Sequence, residues 1–124
     1  MELKRSVVQQ LDGLSHIDTI IASNSSSFTI QQIIDGPELK HPNRCVSLHS
    51  CEFVFLLSTN IHTLVCRAFP NACADWPPET AAIEVMGTNI TKPDIIPRLM
   101  KQCREHGFNP FHVKKSSSGY IYNR

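Results

Sequence analysis

Apolar positions in this chain recur at helical spacing, then at strand spacing. Leu3, Val7, Val8 and Leu11 share one helical face, and Asp12-Gly13 predicts where that helix ends. Thr19–Ala22 is an apolar, β-branched run and predicts a buried strand. Five polar residues follow it directly: Ser23, Asn24, Ser25, Ser26 and Ser27. Ser26 or Ser27 is expected to cap a second helix through Phe28, Ile30, Ile33 and Ile34, stopped at Gly36-Pro37. Beyond a loop at Pro42-Asn43, Cys45–Leu48 predicts a short strand ending at His49.

The second half repeats the pattern. Ala82–Met86 predicts a strand closed by Gly87. Thr91 as N-cap, Pro93 in the first turn and Asp94 at N3 predict a helix. Its apolar face is Ile95, Ile96, Leu99, Met100 and Cys103, and Gly107 stops it. Phe111–Val113 predicts a last short strand, and Ser116–Gly119 reads as a linker before Tyr120-Ile121-Tyr122. Helix, strand, helix, strand, then strand, helix, strand predicts an α/β layer with a largely parallel sheet. About four strands is few for a sheet covered on both faces, so the chain reads as part of a domain. The stretch Ser50–Pro77 has no clear period and is too long for an ordinary loop.

Composition narrows the function classes. Twelve Lys and Arg against 11 Asp and Glu leave a net charge of +1, which argues against nucleic acid and anionic membrane as partners. The charged start Met1-Glu2-Leu3-Lys4-Arg5 is not a signal peptide, and Phe53–Leu57 is too short an apolar run to span a bilayer. An intracellular protein is expected. Cys45, Cys51, Cys66, Cys73 and Cys103 are odd in number and lack CxxC spacing, so no disulfide framework is expected. His62, Cys66 and Cys73 match no common metal spacing and have no evident fourth ligand, so no metal is expected.

The Ser23–Ser27 cluster has two readings. Ser and Asn are good helix caps. In α/β sheets, however, ligands bind just beyond the carboxyl ends of strands, which is where this cluster falls. His49 at a strand end is either a polar residue at the sheet rim or a base that titrates near neutrality. Glu84 between apolar neighbours needs a partner if buried, or faces solvent from an edge strand.

Several strings then converge on one family. Ile20–Ser27 looks like the "ASNTSS" turn of the 3-hydroxyacyl-CoA dehydrogenases. Leu48-His49 looks like that family's strand ending in its catalytic histidine, and Ile83-Glu84-Val85 resembles the strand carrying the partner glutamate. Ser118–Arg124 is similar to the "PGFIxNR" start of the family's helical dimerisation domain. The resemblance implies a partial Rossmann-like fold: a doubly wound, mostly parallel α/β sheet with flanking helices, truncated before the helical C-terminal domain. Residues 1–118 would be part of the NAD-binding domain, with an atypical insertion at 51–75, and residues 119–124 would start the helical one. It also implies oxidation of a 3-hydroxyacyl-CoA to the 3-oxoacyl-CoA with NAD, in fatty acid metabolism. His49 would be the general base, and Glu84 would fix its tautomer. Ser26 would bond the substrate oxygen and touch the cofactor side, Asn24 would lie near the nicotinamide, and Asn123 would hold the reacting end of the substrate. Full-length relatives would form homodimers through the helical domain.

Three departures bear on that expectation. No GxGxxG fingerprint is present, and its amides would hold the cofactor pyrophosphate. The chain stops where the helical domain would begin. After His49, an aromatic-Asn-Pro string is replaced by Ser50-Cys51-Glu52. Joining His49-Ser50 almost directly to Trp76-Pro77-Pro78 would restore a short loop, so residues 51–75 read as a translated intron or a lineage-specific loop over the cleft. The chain alone is expected to be catalytically weak or dead and marginally folded. Two rivals stand beside this reading. One is a related dehydrogenase of β-hydroxy acids or sugar acids without CoA. The other is a non-enzymatic interaction module with a vestigial site.

Overall fold

A computed structural model of the chain describes residues 1–50, 63–67 and 82–115. In chain order the elements are α1 (Glu2–Leu14), β1 (Ile20–Asn24), α2 (Ile30–Ile34), a 3-10 turn (Pro42–Arg44), β2 (Cys45–Ser50), β3 (Thr63–Arg67), β4 (Ala82–Met86), α3 (Ile95–Glu105) and β5 (Asn109–His112). The five strands form one sheet in the order β3-β1-β2-β4-β5. Three of its four pairings are parallel, and only β2 with β4 is antiparallel. The expected α/β, mostly parallel, Rossmann-like architecture is the one observed. The sheet has one strand more than expected, because Thr63–Arg67, in a stretch without readable period, pairs along the whole of β1.

Strand alternation sorts the core into two layers. Ile20, Ala22, Val46, Leu48, Ile83 and Val85 meet Ile95, Leu99 and Cys103 of α3 on one face. Ile21 and Cys45 meet Val8 of α1 and Ile30, Ile33 and Ile34 of α2 on the other. The apolar run Ile20–Ala22 in β1 follows from burial on both faces, whereas β2 and β4 carry buried polar residues, Ser47, His49 and Glu84, on the α2 side. The apolar face foreseen for α3 is the face that packs, with Ile96 and Met100 at its margin.

Element ends differ from the sequence expectation for physical reasons. Helix α1 runs through Asp12-Gly13 to Leu14, because the Asp12 carboxylate turns inward to a buried partner, Arg44. Strand β1 continues through Ser23 and Asn24, whose backbones pair with Cys66 and Arg67 of β3. The cap of α2 is Thr29 rather than Ser26 or Ser27. Its Oγ1 accepts from Gln32 N while Gln32 Oε1 accepts from Thr29 N, a reciprocal capping box. Helix α3 starts at Ile95 after Asp94, and Thr91 Oγ1 instead accepts from Thr88 N at 2.7 Å. Pro97 sits third in α3, where a missing N–H costs nothing. Gly107, at φ +83°, ends α3 as foreseen. Strand β5 begins two residues earlier than expected, yet Val113 N still donates to Val85 O.

One buried polar knot sets the register of the layers. The Arg44 guanidinium donates to both Asp12 Oδ1 and Asp12 O, and to the carbonyls of His16 and Thr19. Asp12 also accepts from the amides of Lys40 and His41. Burial alone would raise the Asp12 pKa, but the hydrogen bonds from Arg44, His41 and Lys40 hold it below the ordinary carboxylate range. The knot ties the end of α1 and the start of β1 to the start of β2. These are the two strands that carry the candidate chemistry.

Candidate active site

The carboxyl ends of β1 and β2 lie side by side, with Ser23 opposite Ser47. On the α2 face these strands change from apolar to polar along their length: Ile21 gives way to Ser23, and Cys45 to Ser47 and then His49. Ser47 Oγ accepts from Ile30 N at 3.0 Å and so fixes the start of α2. Ser25, buried in the turn after β1, accepts from Lys4 Nζ and from Phe28 N. These two contacts hold the Ser25–Phe28 turn over the end of β2.

The antiparallel neighbour completes the site. Glu84 is the register partner of His49 across β2 and β4. Directly paired residues project to the same face, so the imidazole and the carboxylate meet within the sheet. His49 Nδ1 lies 3.7 Å from Glu84 Oε1. On the other side of the ring, His49 Nε2 lies 3.1 Å from Ser26 Oγ. The histidine is 2% exposed and the glutamate fully enclosed, whereas Ser26 is half-buried at the surface. Serine hydroxyl, imidazole and carboxylate thus form one line from solvent into the interior.

Burial holds the His49 pKa below the ordinary imidazole value, and attraction to Glu84 works against that shift. The ring is therefore neutral at pH 7. With Nδ1 facing a carboxylate, the proton belongs on Nδ1, leaving Nε2 as the acceptor toward Ser26. A neutral, oriented base at a strand end can take a proton from a hydroxyl at Nε2 and hold the resulting charge against Glu84.

Three of the foreseen site residues, Ser26, His49 and Glu84, are thus brought together. Asn24 ends β1 on the other alternation, the side of Ile20 and Ala22, and its backbone is paired with Arg67. Asn123 lies outside the described residues, as do residues 118–122, Cys51, Cys73, His62 and Trp76. Sequence reasoning named Ser25 only as a member of the polar cluster and missed Ser47 and Lys4. The signal for Ser47 was present: a serine alternating with Cys45 and His49 in an otherwise apolar strand. Among the described residues no group of three or more His, Cys, Asp or Glu is arranged to hold a metal ion, and no helix is long and apolar enough to cross a membrane.

A dinucleotide pyrophosphate needs a glycine turn that brings backbone amides close. The described residues do not supply one. The turn from β1 into α2 contains no glycine, and the space a Cβ would take at Gly87, between β4 and α3, is occupied by Thr91. What the described residues do supply is a polar end to β1, with Asn24 on the Ile20 and Ala22 side and Ser26 in the turn that follows.

Comparison with known proteins agrees with this architecture. Residues 1–57 match the family model of the 3-hydroxyacyl-CoA dehydrogenase NAD binding domain. An L-carnitine dehydrogenase from a Pseudomonas species is 25% identical over 100% of the chain, which spans 31% of that relative's length. Among solved structures, 5-formyl-3-hydroxy-2-methylpyridine 4-carboxylic acid 5-dehydrogenase, an NAD-dependent dismutase, superposes with a TM-score of 0.69 at 25% identity, over 98% of this chain and 31% of that one. The 3-hydroxybutyryl-CoA dehydrogenase of Escherichia coli K12 superposes with a TM-score of 0.70 at 24% identity, over 99% of this chain and 21% of that one.

Proposed function

From a chain whose residues 1–57 belong to the NAD-binding domain family of the 3-hydroxyacyl-CoA dehydrogenases, we propose that it is the acid–base part of a dehydrogenase acting on a 3-hydroxyacyl thioester of CoA. The observation that carries this reading is the His49–Glu84 pair with Ser26 on the other ring nitrogen. Bound NAD would supply the hydride acceptor for the hydroxyl-bearing carbon, with Asn24 and Ser26 on its side. The chain's own part is the proton. His49 Nε2 takes it from the substrate hydroxyl, and Glu84 stabilises the imidazolium that results. Ser26, half-exposed on the turn, donates a hydrogen bond to the same oxygen as it becomes a carbonyl. Asn24 borders the nicotinamide side, and Asn123 is assigned to the reacting end of the substrate.

The matched solved structures are about three to five times longer than this chain by the shares above, and no pyrophosphate cradle occurs among the described residues. The chain alone is therefore expected to give no NAD-linked turnover. The test grafts it into the Escherichia coli 3-hydroxybutyryl-CoA dehydrogenase in place of the matching segment. The graft should oxidise NADH with acetoacetyl-CoA, and His49→Gln should cost about 10²- to 10⁴-fold in kcat. A graft that binds NADH but has no turnover, or whose rate survives His49→Gln, would overturn the reading. The L-carnitine dehydrogenase relatives support a second reading, a 3-hydroxy acid without CoA. NAD reduction by the same graft with L-carnitine but not with a 3-hydroxyacyl-CoA would favour it.

A further inference from the structure

The hydroxyl, imidazole and carboxylate of this site stand in the order of an acyl-transfer triad, a use that hydride chemistry does not need. We propose that Ser26 is a nucleophile toward activated acyl groups, esters and thioesters, with His49 as its base and Glu84 as the group that orients the base. Three observations carry this. Ser26 Oγ is 3.1 Å from His49 Nε2, within reach for direct proton transfer. His49 Nδ1 faces Glu84 Oε1 at 3.7 Å, which leaves Nε2 the acceptor. Ser26 is the only one of the three exposed to solvent, on a strand-to-helix turn, while the base and the acid are enclosed behind it. A helix cap was the competing use of this serine, and that role belongs to Thr29.

The step balances without redox chemistry. The Ser26 O–H bond breaks and its proton goes to His49 Nε2, while Oγ bonds to the acyl carbonyl carbon. The carbon–sulfur or carbon–oxygen bond of the substrate then breaks, and the leaving thiolate or alkoxide takes the proton from the imidazolium. Water, deprotonated by the same nitrogen, attacks the acyl-serine; the acyl–Oγ bond breaks, Oγ takes back the proton from Nε2, and the carboxylic acid leaves. Neither NAD nor a second domain takes part, so this activity belongs to the chain as it stands and its failure leaves the dehydrogenase reading untouched.

The probe is p-nitrophenyl acetate with the full 124-residue chain. The expected result is a burst of nitrophenolate equal to one per chain, with the acetyl group mapped by peptide mass spectrometry to Ser26. Ser26→Ala should abolish the burst, and His49→Ala should slow acylation by at least about 100-fold. Ser26→Cys should restore a faster burst, since a thiolate is the stronger nucleophile. Mapping on the unaltered chain needs no variant to fold. Acetyl found only on lysine, cysteine or histidine, or a burst that persists in Ser26→Ala, would overturn the proposal.

Discussion

Replacing Glu84 by Gln isolates the charge beside His49 while preserving shape. At 3.7 Å and an effective dielectric of about 20, a carboxylate attracts an imidazolium by about 4 kcal/mol. That attraction acts only when His49 is charged. In the folded chain burial keeps the ring neutral, so the substitution removes little at pH 8. It even relieves the desolvation of a fully enclosed carboxylate, and no uncompensated charge is left behind. The sign on titration is definite. Loss of the anion disfavours the imidazolium, so the His49 pKa, already below 6.5, moves lower still. The unfolded chain takes up the proton below about 6.5 and the folded one does not, so stability falls as pH drops through that value. In Glu84→Gln the fall should continue to lower pH. The kinetic consequence is larger. An imidazolium formed in the transition state loses up to about 4 kcal/mol of support, about a thousandfold in rate. Histidine NMR titration, thermal melts at pH 8 and pH 5.5, and acylation kinetics read the three effects separately. A large loss of melting temperature at pH 8 with an unmoved His49 titration would refute the reasoning and make Glu84 a structural residue.

Other outcomes follow from the rest of the fold. Arg44→Met leaves the enclosed Asp12 without its counterion and should cost about 3–5 kcal/mol by denaturant unfolding at pH 7. Because the folded Asp12 pKa is depressed, its contribution is present above the unfolded value near 4 and is lost as pH falls through the folded one; Arg44→Met should flatten this acid dependence, and an unchanged profile would count against the knot. Leu99→Ala opens a cavity between α3 and the sheet and should cost about 2–5 kcal/mol, read as a lower urea midpoint with unchanged slope. Burial pushes the Cys45 thiol up to about 12 and the Cys103 thiol up to about 11, so iodoacetamide at pH 8 should label neither peptide until the chain is unfolded; rapid native labelling would contradict the packing.

Much of this was legible in the residues, and the parts that were not share a cause. Ala82–Met86 was read to the residue, because Ile83 and Val85 alternate around Glu84 and Gly87 marks the end. The face of α3 was legible because five apolar residues at helical spacing outweigh any ambiguity in its cap. Its start was not, since Thr91 serves Thr88 instead. The α2 cap was misread for a related reason: five consecutive small polar residues all suit an N-cap locally, and only the Gln32 reciprocal bond picks Thr29. Strand β3 was invisible because its pairing rests on backbone contact with β1, a tertiary fact without local periodicity. The Asp12–Arg44 knot spans 32 residues of chain, and no local pattern signals such a pair.

The antiparallel strand gives the site one part set in the sheet and one part set on a turn. In a parallel pair, the residue opposite the end of β2 would itself lie at a strand end, where pairing frays. Because β4 runs the other way, His49 meets the middle of a strand. Glu84 is flanked by Ile83 and Val85, whose side chains are locked against α3. His49 is thereby paired to β4, and Glu84 is paired on both sides, to β2 and to β5, so the two side chains are set by the sheet itself. Ser26 has no ladder; it is placed by the turn that Ser25 and Thr29 close at either end. A hydroxyl on a turn can yield its place on Nε2 to an incoming substrate oxygen, or turn toward an acyl carbon, while the pair behind it stays fixed. On the two proposals above, proton abstraction from a substrate alcohol and from Ser26 would be two uses of one preorganised base, with the bound molecule deciding which hydroxyl reaches it.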